Sequence, residues 1–314
     1  MTVTQQTDHT VQGILIPAAE PVPPEEPVRR RGVLGAVIRS PKGAAGVGML
    51  LLVVAGAVIA AWVAPHTATA TDGPPLTGPT ASYWLGTDNL GRDMLVRIAV
   101  GIRVSLLVSI GATLLAAVLG GLSGLLAGFV RGRFDSVVMR WWDVVLAFPS
   151  IILAIAVAAV LGAGVWTAVI AIAVVGMPSF ARLARSSTLS ERTLDYVAAD
   201  LAAGASRVGV LVRSVLPNVA GPLVVYFTIS VPHAIVLEAS LSYLGLGQQP
   251  PTPSLGGMIS AGQQYMAQAP HFIVFPSIAL FLIIVSILLI GQRLSDALDP
   301  SRRYRMARRS GRTR

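Results

Sequence analysis

The chain of 314 residues contains no cysteine and a single lysine, and charged side chains make up only 12% of it. Without cysteine it holds no disulfide framework, thiolate zinc site or cysteine nucleophile. A soluble domain of this size needs a charged surface, and a charged fraction about half the usual one does not supply it. Together with 54% apolar residues and a mean hydropathy of +0.69, this composition indicates a polytopic membrane protein.

Several motifs of catalysis and ligand binding are also missing. Lys42 stands between Pro41 and Gly43, so the chain has no Gly-Lys-Ser/Thr phosphate-binding loop. It has no Gly-x-Ser-x-Gly nucleophile elbow either. The histidines are far apart and match no metal-ligand spacing; they are His9, His66, His233 and His271. We therefore expect no catalytic residue, metal site or cofactor in this chain.

Long uncharged stretches predict six transmembrane helices. About 20 apolar residues cross the hydrocarbon core as a helix. The run 144–181 is long enough for two helices, and Gly162-Ala163-Gly164 near its middle predicts a tight hairpin. The other predicted spans are 44–64, 104–130, 214–237 (interrupted by Pro217, Pro222 and Pro232) and 272–291.

The distribution of basic residues predicts the orientation of these spans. Six spans place both termini and the loops 131–143 and 182–213 on one side, which then holds 21 of the 24 Lys and Arg residues. Because basic residues concentrate on the cytoplasmic side, both termini are expected in the cytoplasm. The same distribution accounts for the net charge of +9 without a nucleic-acid partner.

The predicted domain organisation follows from this topology. Residues 1–43 are rich in proline and form a disordered cytoplasmic tail, and 293–314 form a basic cytoplasmic tail. Between them lies a six-helix transmembrane domain, 44–292. Its large connections are the outer loops 65–103 and 243–271 and the cytoplasmic loop 182–217.

The cytoplasmic stretch 195–217, called here the inner segment, predicts a short helix followed by a turn. Its alanines favour helix, Gly204 permits a sharp change of direction, and Pro217 stands where the fifth span starts. Two interpretations fit this pattern, a helix that docks into a partner and an interfacial linker helix.

Three further features carry charged, polar or small residues. The outer segment, 85–93, reads Leu-Gly-Thr-Asp-Asn-Leu-Gly-Arg-Asp and predicts a charged, structured turn. Glu238, at the outer end of span five, is interpreted as a solvated or hydrogen-bonded end residue rather than part of an ion path. Gly120, Gly124 and Gly128 share a helix face and predict close helix packing.

Ordered motifs along residues 30–301 resemble the C-type permeases of ABC importers for dipeptides, oligopeptides and nickel. Besides the outer and inner segments, they are Gly101-Ile-Arg103-Val-Ser-Leu106, Ala147-Phe-Pro149, Ala181-Arg182-Leu-Ala-Arg185, Leu237-Glu-Ala-Ser-Leu-Ser-Tyr-Leu-Gly-Leu-Gly247, Gln249-Pro-Pro-Thr-Pro-Ser254 and Asp296-Ala-Leu-Asp-Pro300.

The resemblance implies a type I importer permease fold in the bacterial plasma membrane, with no enzymatic activity of its own. The implied partners are a B-type permease, two ATPases that bind ATP and Mg²⁺, an extracytoplasmic binding protein and a peptide substrate. The implied ATPase-coupling residues are Ala198, Ala199, Asp200, Gly204, Leu216 and Pro217. The family motif has glutamate where this chain has Ala198, and whether Asp200 replaces it stays open.

The implied outer-gate or binding-protein contact falls on Leu85, Gly86, Thr87, Asp88, Gly91, Arg92 and Asp93. Alternatives remain for the substrate and for the class of protein. Within the family, nickel or glutathione could replace the peptide. Outside it, an ion-coupled secondary transporter or a membrane scaffold would need no ATPases.

Overall fold

The computed structural model describes residues 35, 38, 40–63 and 66–298. The predicted tails 1–43 and 293–314 lie largely outside these residues. Within the described part the regular secondary structure is helical, apart from one isolated bridge between Thr87 and Asp93. In chain order the helices are α1 (Pro41–Val63), α2 (Met94–Val130), α3 (Gly132–Leu146), α4 (Ser150–Leu161), α5 (Val165–Glu191), α6 (Asp195–Ala202), α7 (Arg207–Tyr243), α8 (Leu255–Gln263) and α9 (His271–Leu298).

Among the described residues, α1, α2, α5, α7 and α9 are long and apolar enough to cross a membrane. A sixth crossing is made by α3 and α4 together, which meet at a bend of 92°. The all-helical architecture and the count of six spans agree with the sequence-based prediction when the bent pair counts as one span. The fold does not show which side of the membrane is the cytoplasm, so the cytoplasmic location of the termini stays a prediction.

A seam of glycines joins α2 to α5. A Cβ added to Gly120 or Gly124 would overlap a carbonyl oxygen of α5, and one on Gly128 would lie 2.9 Å from the Thr188 Cβ. The absence of side chains therefore lets the two backbones touch, as predicted. The α5 residues that face the three glycines advance in the same direction as α2, so the two helices run parallel. The chain must recross the membrane between them.

The crossing between α2 and α5 differs from the predicted straight span. The expected loop 131–143 is the helix α3, and the chain turns sharply at Ala147-Phe148-Pro149 before α4 begins. Proline disfavours helical backbone in the preceding residue, which explains the break. With 12 residues, α4 is about 18 Å long. The predicted hairpin is present, since α4 ends at Leu161, α5 begins at Val165 and Gly162 has a φ of +84°.

Several helices extend beyond the predicted spans. The second begins at Met94 rather than 104, the fourth continues past 181 to Glu191, and the fifth runs over Arg207–Tyr243 rather than 214–237. A search for uncharged runs ends a span at the first charge, whereas a helix can continue into the headgroup region. The fifth span also passes through Pro222 and Pro232, with a π-helical turn at Leu211–Val215.

Two ion pairs fix α3 along the inner end of α5. Arg185 contacts the carboxylate of Asp135 through two nitrogens, with 2.6 Å between Nη2 and Oδ2. The Arg182 Nη2 lies 2.7 Å from Asp143 Oδ1. These contacts hold the helix before the bend against the helix that leads into the inner segment.

Candidate functional site

The outer segment is closed on itself by a buried cluster of charges. The Asp88 carboxylate is fully buried and accepts hydrogen bonds from the backbone N–H of Leu90 and of Arg92, at 2.8 and 3.0 Å. Arg92 Nε donates to it at 2.6 Å, and Arg97 Nε lies 3.2 Å away. The Arg97 guanidinium also donates to the Ala68 carbonyl at 2.8 Å, which ties α2 to the start of the loop.

Backbone hydrogen bonds extend this cluster into a compact loop. Residues 73–77 run beside the outer segment, with Leu76 N donating to Asp88 O and Gly73 N to Gly91 O. Gly91 has a φ of +75°, and a Cβ there would collide with the Gly73 carbonyl, so glycine is required at this turn. Asp93 caps α2 by accepting from Leu95 N at 2.8 Å.

The structure places the predicted outer residues inside the loop rather than on its surface. Gly86, Thr87, Asp88, Gly91 and Asp93 are buried, and Leu85 and Arg92 are half-buried. Asp88 pairs with both Arg92 and Arg97, so this charge lies largely within the loop. The exposed large side chains beside them are Trp84 and Leu90. A role of this segment in an outer gate or a binding-protein contact stays a prediction.

The helix α6 is attached to the bundle through Val197, its one buried side chain. The side chain of Val197 is 1% exposed and packs in an apolar cluster with Leu125 of α2, Ala184 of α5 and Val215 of α7. Around it Ala198, Ala199 and Leu201 are exposed. The helix α6 ends at Ala202, and Gly204 takes a φ of +86°, which gives the change of direction predicted at that glycine.

Short-range hydrogen bonds shape the turn between α6 and α7. The Asp200 carboxylate accepts a hydrogen bond from Ser214 Oγ at 2.6 Å, and Ser206 Oγ accepts from Gly209 N as the cap of α7. The Tyr196 hydroxyl donates to Glu191 and accepts from Asn218 Nδ2 at 2.9 Å. Desolvation by burial and the hydrogen bond to Glu191 raise the pKa of Tyr196.

The predicted coupling residues lie together but differ in exposure. Ala198, Ala199, Gly204 and Pro217 are exposed, whereas Asp200 and Leu216 are half-buried. The exposed apolar side chains of Ala198, Ala199, Leu201 and Val208 are called here the inner ridge. Because the Asp200 carboxylate is engaged by Ser214, it contributes to the turn rather than to the ridge.

Glu238 links two helices inside the bundle. Its side chain is 1% exposed and accepts hydrogen bonds from Ser105 Oγ of α2 at 2.6 Å and from Ser242 Oγ at 2.8 Å. Glu238 was expected to be either solvated or hydrogen-bonded, and within this chain it is buried and hydrogen-bonded. The described residues contain no group of three His, Cys, Asp or Glu side chains placed to hold a metal ion.

Sequence reasoning missed a cavity of about 320 Å³ within the span region. Four helices contribute polar side chains to it, and these are Thr113 of α2, Ser150 of α4, Ser179 of α5, and Tyr226, Ser230 and His233 of α7. The spacing of the three α7 residues gave a detectable signal, because residues three, four and seven apart share a helix face.

This helical bundle with its uncharged spans defines a multi-pass integral membrane protein. Residues 120–304 match the family described as binding-protein-dependent transport system inner membrane component. The chain belongs to this family and is therefore a permease of an ABC importer in the bacterial plasma membrane. The resemblance drawn from the sequence motifs is confirmed.

Relatives and a solved structure agree with this assignment. The glutathione transport system permease protein GsiD from Escherichia coli O157:H7 is 43% identical over 253 residues, covering 80% of this chain and 84% of the relative. GsiD from Shigella sonnei (strain Ss046) gives the same values. A structure of the MetNI methionine ABC transporter in an inward-facing conformation matches with a TM-score of 0.52 and 19% identity. It covers 63% of this chain and 94% of that one, and it supports the fold.

Proposed function

We propose that this chain is the C-type permease of an ATP-driven importer of short peptides. It forms one half of the translocation pathway and couples to cytoplasmic ATPases through the inner segment. Its partners are a homologous B-type permease, two ATPases and an extracytoplasmic binding protein. The 43% identity to a glutathione permease supports a peptide substrate, because glutathione is itself a tripeptide.

The observation that carries this proposal is the inner ridge. The helix α6, whose one buried side chain is Val197, exposes Ala199 and Leu201, and Val208 near the start of α7 is exposed as well. Small alanines allow close approach of a partner surface, and the larger apolar side chains supply area to bury. An ATPase groove that receives this ridge needs no ion pair from the position of Ala198, where the family motif has glutamate.

Contacts behind the inner ridge provide a route for movement into the spans. Arg192, in the turn after α5, donates to the Phe129 carbonyl at the end of α2 at 2.7 Å, and its guanidinium lies over the Phe129 ring. The glycine seam then joins α2 to α5 over several turns. Displacement of the inner segment by closing ATPases would therefore move α2 and α5 together.

A co-purification experiment tests the coupling role. Ala199→Asp places a charge on the inner ridge, and Ala163→Asp makes the same change on the exposed hairpin between α4 and α5. In the complex of two permeases and two ATPases, A199D is expected to lose ATPase subunits and uptake, while the permease pair persists. A163D should retain both. Full ATPase recovery and uptake with A199D would overturn the assignment.

A transport assay tests the substrate. The complex is reconstituted in liposomes with its cognate binding protein, and uptake of labelled dipeptide, S-methylglutathione and Ni²⁺ is compared with and without ATP inside. ATP-dependent uptake of either peptide supports the proposal. Uptake of Ni²⁺ alone would replace the peptide by the metal. Uptake driven by an ion gradient without ATPases would identify a secondary carrier.

A further inference from the structure

The cavity in the span region has an uncharged, hydrogen-bonding wall. Its largest polar contribution comes from α7, where Tyr226, Ser230 and His233 line it. At 100° per residue these three positions fall within about 60° of one another around the helix. Thr228, the other polar residue of this stretch, lies on the far side of the helix. Its hydroxyl donates to the Val225 carbonyl and the Ser230 hydroxyl donates to the Tyr226 carbonyl, each at 2.8 Å.

Exposing a stripe of polar side chains to lipid would cost free energy. Polar groups at membrane depth face a protein interior or a water-filled space, because hydrocarbon offers them no hydrogen-bond partner. His233 is exposed on this chain, and the helix-facing side of α7 is taken up by buried residues such as Ile235 and Glu238. The stripe therefore requires an aqueous neighbour that this chain alone does not enclose.

Other helices bring polar or small groups to the same space. Ser150 begins α4 immediately after the 92° bend, and Ser179 lies on α5. Gly176 on α5 leaves room beside them, and Phe180 packs edge-on against Tyr226 with 4.9 Å between ring centroids. The bend thus places the N-terminus of α4 at the cavity rather than at the membrane surface.

We infer that this cavity is the substrate-contacting wall of the permease and that Ser230 and His233 determine its specificity. The inference rests on the proposed transport function and names a site for it. None of the lining residues carries a carboxylate, guanidinium or ammonium group. The wall therefore meets a substrate through hydroxyl and imidazole groups, which suits the amide groups of a short peptide. Its volume lies at the lower end of the range of about 300–1,000 Å³ for small-ligand sites.

Cysteine accessibility tests whether the wall faces water. Because the chain has no cysteine of its own, Ser230→Cys and Thr228→Cys each introduce a single thiol. In the reconstituted complex, a charged methanethiosulfonate reagent is expected to modify S230C in at least one of the nucleotide-free and ATP–vanadate states, and to leave T228C unmodified in both. An unreactive S230C in both states, or equal reaction of the two thiols, would overturn the inference.

Uptake measurements test the specificity. His233→Leu is expected to lower the rate of uptake of trialanine or S-methylglutathione, whichever the parent complex transports, about tenfold by removing a hydrogen-bonding group. His233→Asn should restore most of it, and ATPase recovery should not change. Equal rates for H233L and the parent would overturn the role of His233. If the parent imports neither peptide while S230C remains reactive, the peptide assignment fails and the location of the pathway stands.

Discussion

The outer and inner segments of this permease are built in opposite ways. In the outer segment the charged side chains turn inward, and the fully buried Asp88 carboxylate accepts hydrogen bonds from Leu90 and Arg92 and forms an ion pair with Arg97. In the inner segment the helix α6 buries one side chain, that of Val197, and exposes most of its other residues. The first is complete within this chain, whereas the second presents a surface that only a partner would cover.

The largest effect is expected from a change at Asp88 in the outer segment. Asp88→Asn leaves the buried Arg97 without its counter-charge, and loss of one partner of a buried ion pair costs about 3–5 kcal/mol. The expected result is a large fall in the melting temperature of the detergent-solubilised complex. Asp72→Asn, which alters a mostly exposed carboxylate beside His66, should have little effect. Equal melting temperatures for the two variants would show that the buried cluster is dispensable.

The next largest loss of stability is expected at the glycine seam, which lies between the two segments. Gly124→Ala places a methyl group against the Ala181 carbonyl, and overpacking of this kind costs about 1–3 kcal/mol. The matched control is Gly111→Ala on the same helix, where a Cβ meets nothing within 4 Å. Thermal stability should fall for G124A and hold or rise slightly for G111A. A G124A variant as stable as G111A would contradict the observed packing.

A variant at Val197 tests the inner segment. Val197→Ala removes part of the one buried side chain of α6, at a cost of about 1.5 kcal/mol in the stability of its packing. The expected result is faster proteolysis within the inner segment and more ATP hydrolysed per peptide imported. Val208→Ala, at a position that is 71% exposed, should leave the proteolysis rate unchanged. Identical rates for both variants would mean that the segment is held by other contacts.

The smallest effect is expected at Asp200. Its hydrogen bond to Ser214 is half-buried, and the net contribution of such a bond is about 1 kcal/mol. Asp200→Ala and Ser214→Ala should each destabilise the turn slightly, and the double variant should cost no more than either one. Additive losses, measured as proteolysis rates in a double-mutant cycle, would show that the two side chains act independently.

Much of the fold could be predicted from the sequence because a membrane restricts what an uncharged stretch can do. The runs without charge gave the spans, and Gly162-Ala163-Gly164 gave the hairpin. The bend at Pro149 was missed because the charge pattern counts residues and does not report direction. The start of α2 at Met94 was missed because Arg103 was taken as the boundary of the span.

The candidate site was predicted in part for a similar reason. Gly204 indicated the turn of the inner segment because few other residues adopt a positive φ. The burial of Asp88 could not be predicted, because Arg97 and the Ala68 region come together with it only in the folded loop. The polar stripe at Tyr226, Ser230 and His233 has a helical spacing, but the three prolines of that span do not predict the continuous helix on which such a spacing becomes one face.

The position of the glycine seam along α2 has a mechanical consequence. The helix contains no proline, and Gly124 lies six residues before its inner end but thirty after its outer end. A rigid rod that pivots at Gly124 would have arms of about 9 Å and 45 Å. A displacement of about 1 Å at the inner end would then move the outer end by about 5 Å. A small displacement of the inner end would therefore be enough to shift the outer segment. The buried charges of the outer segment would let that segment move as one piece.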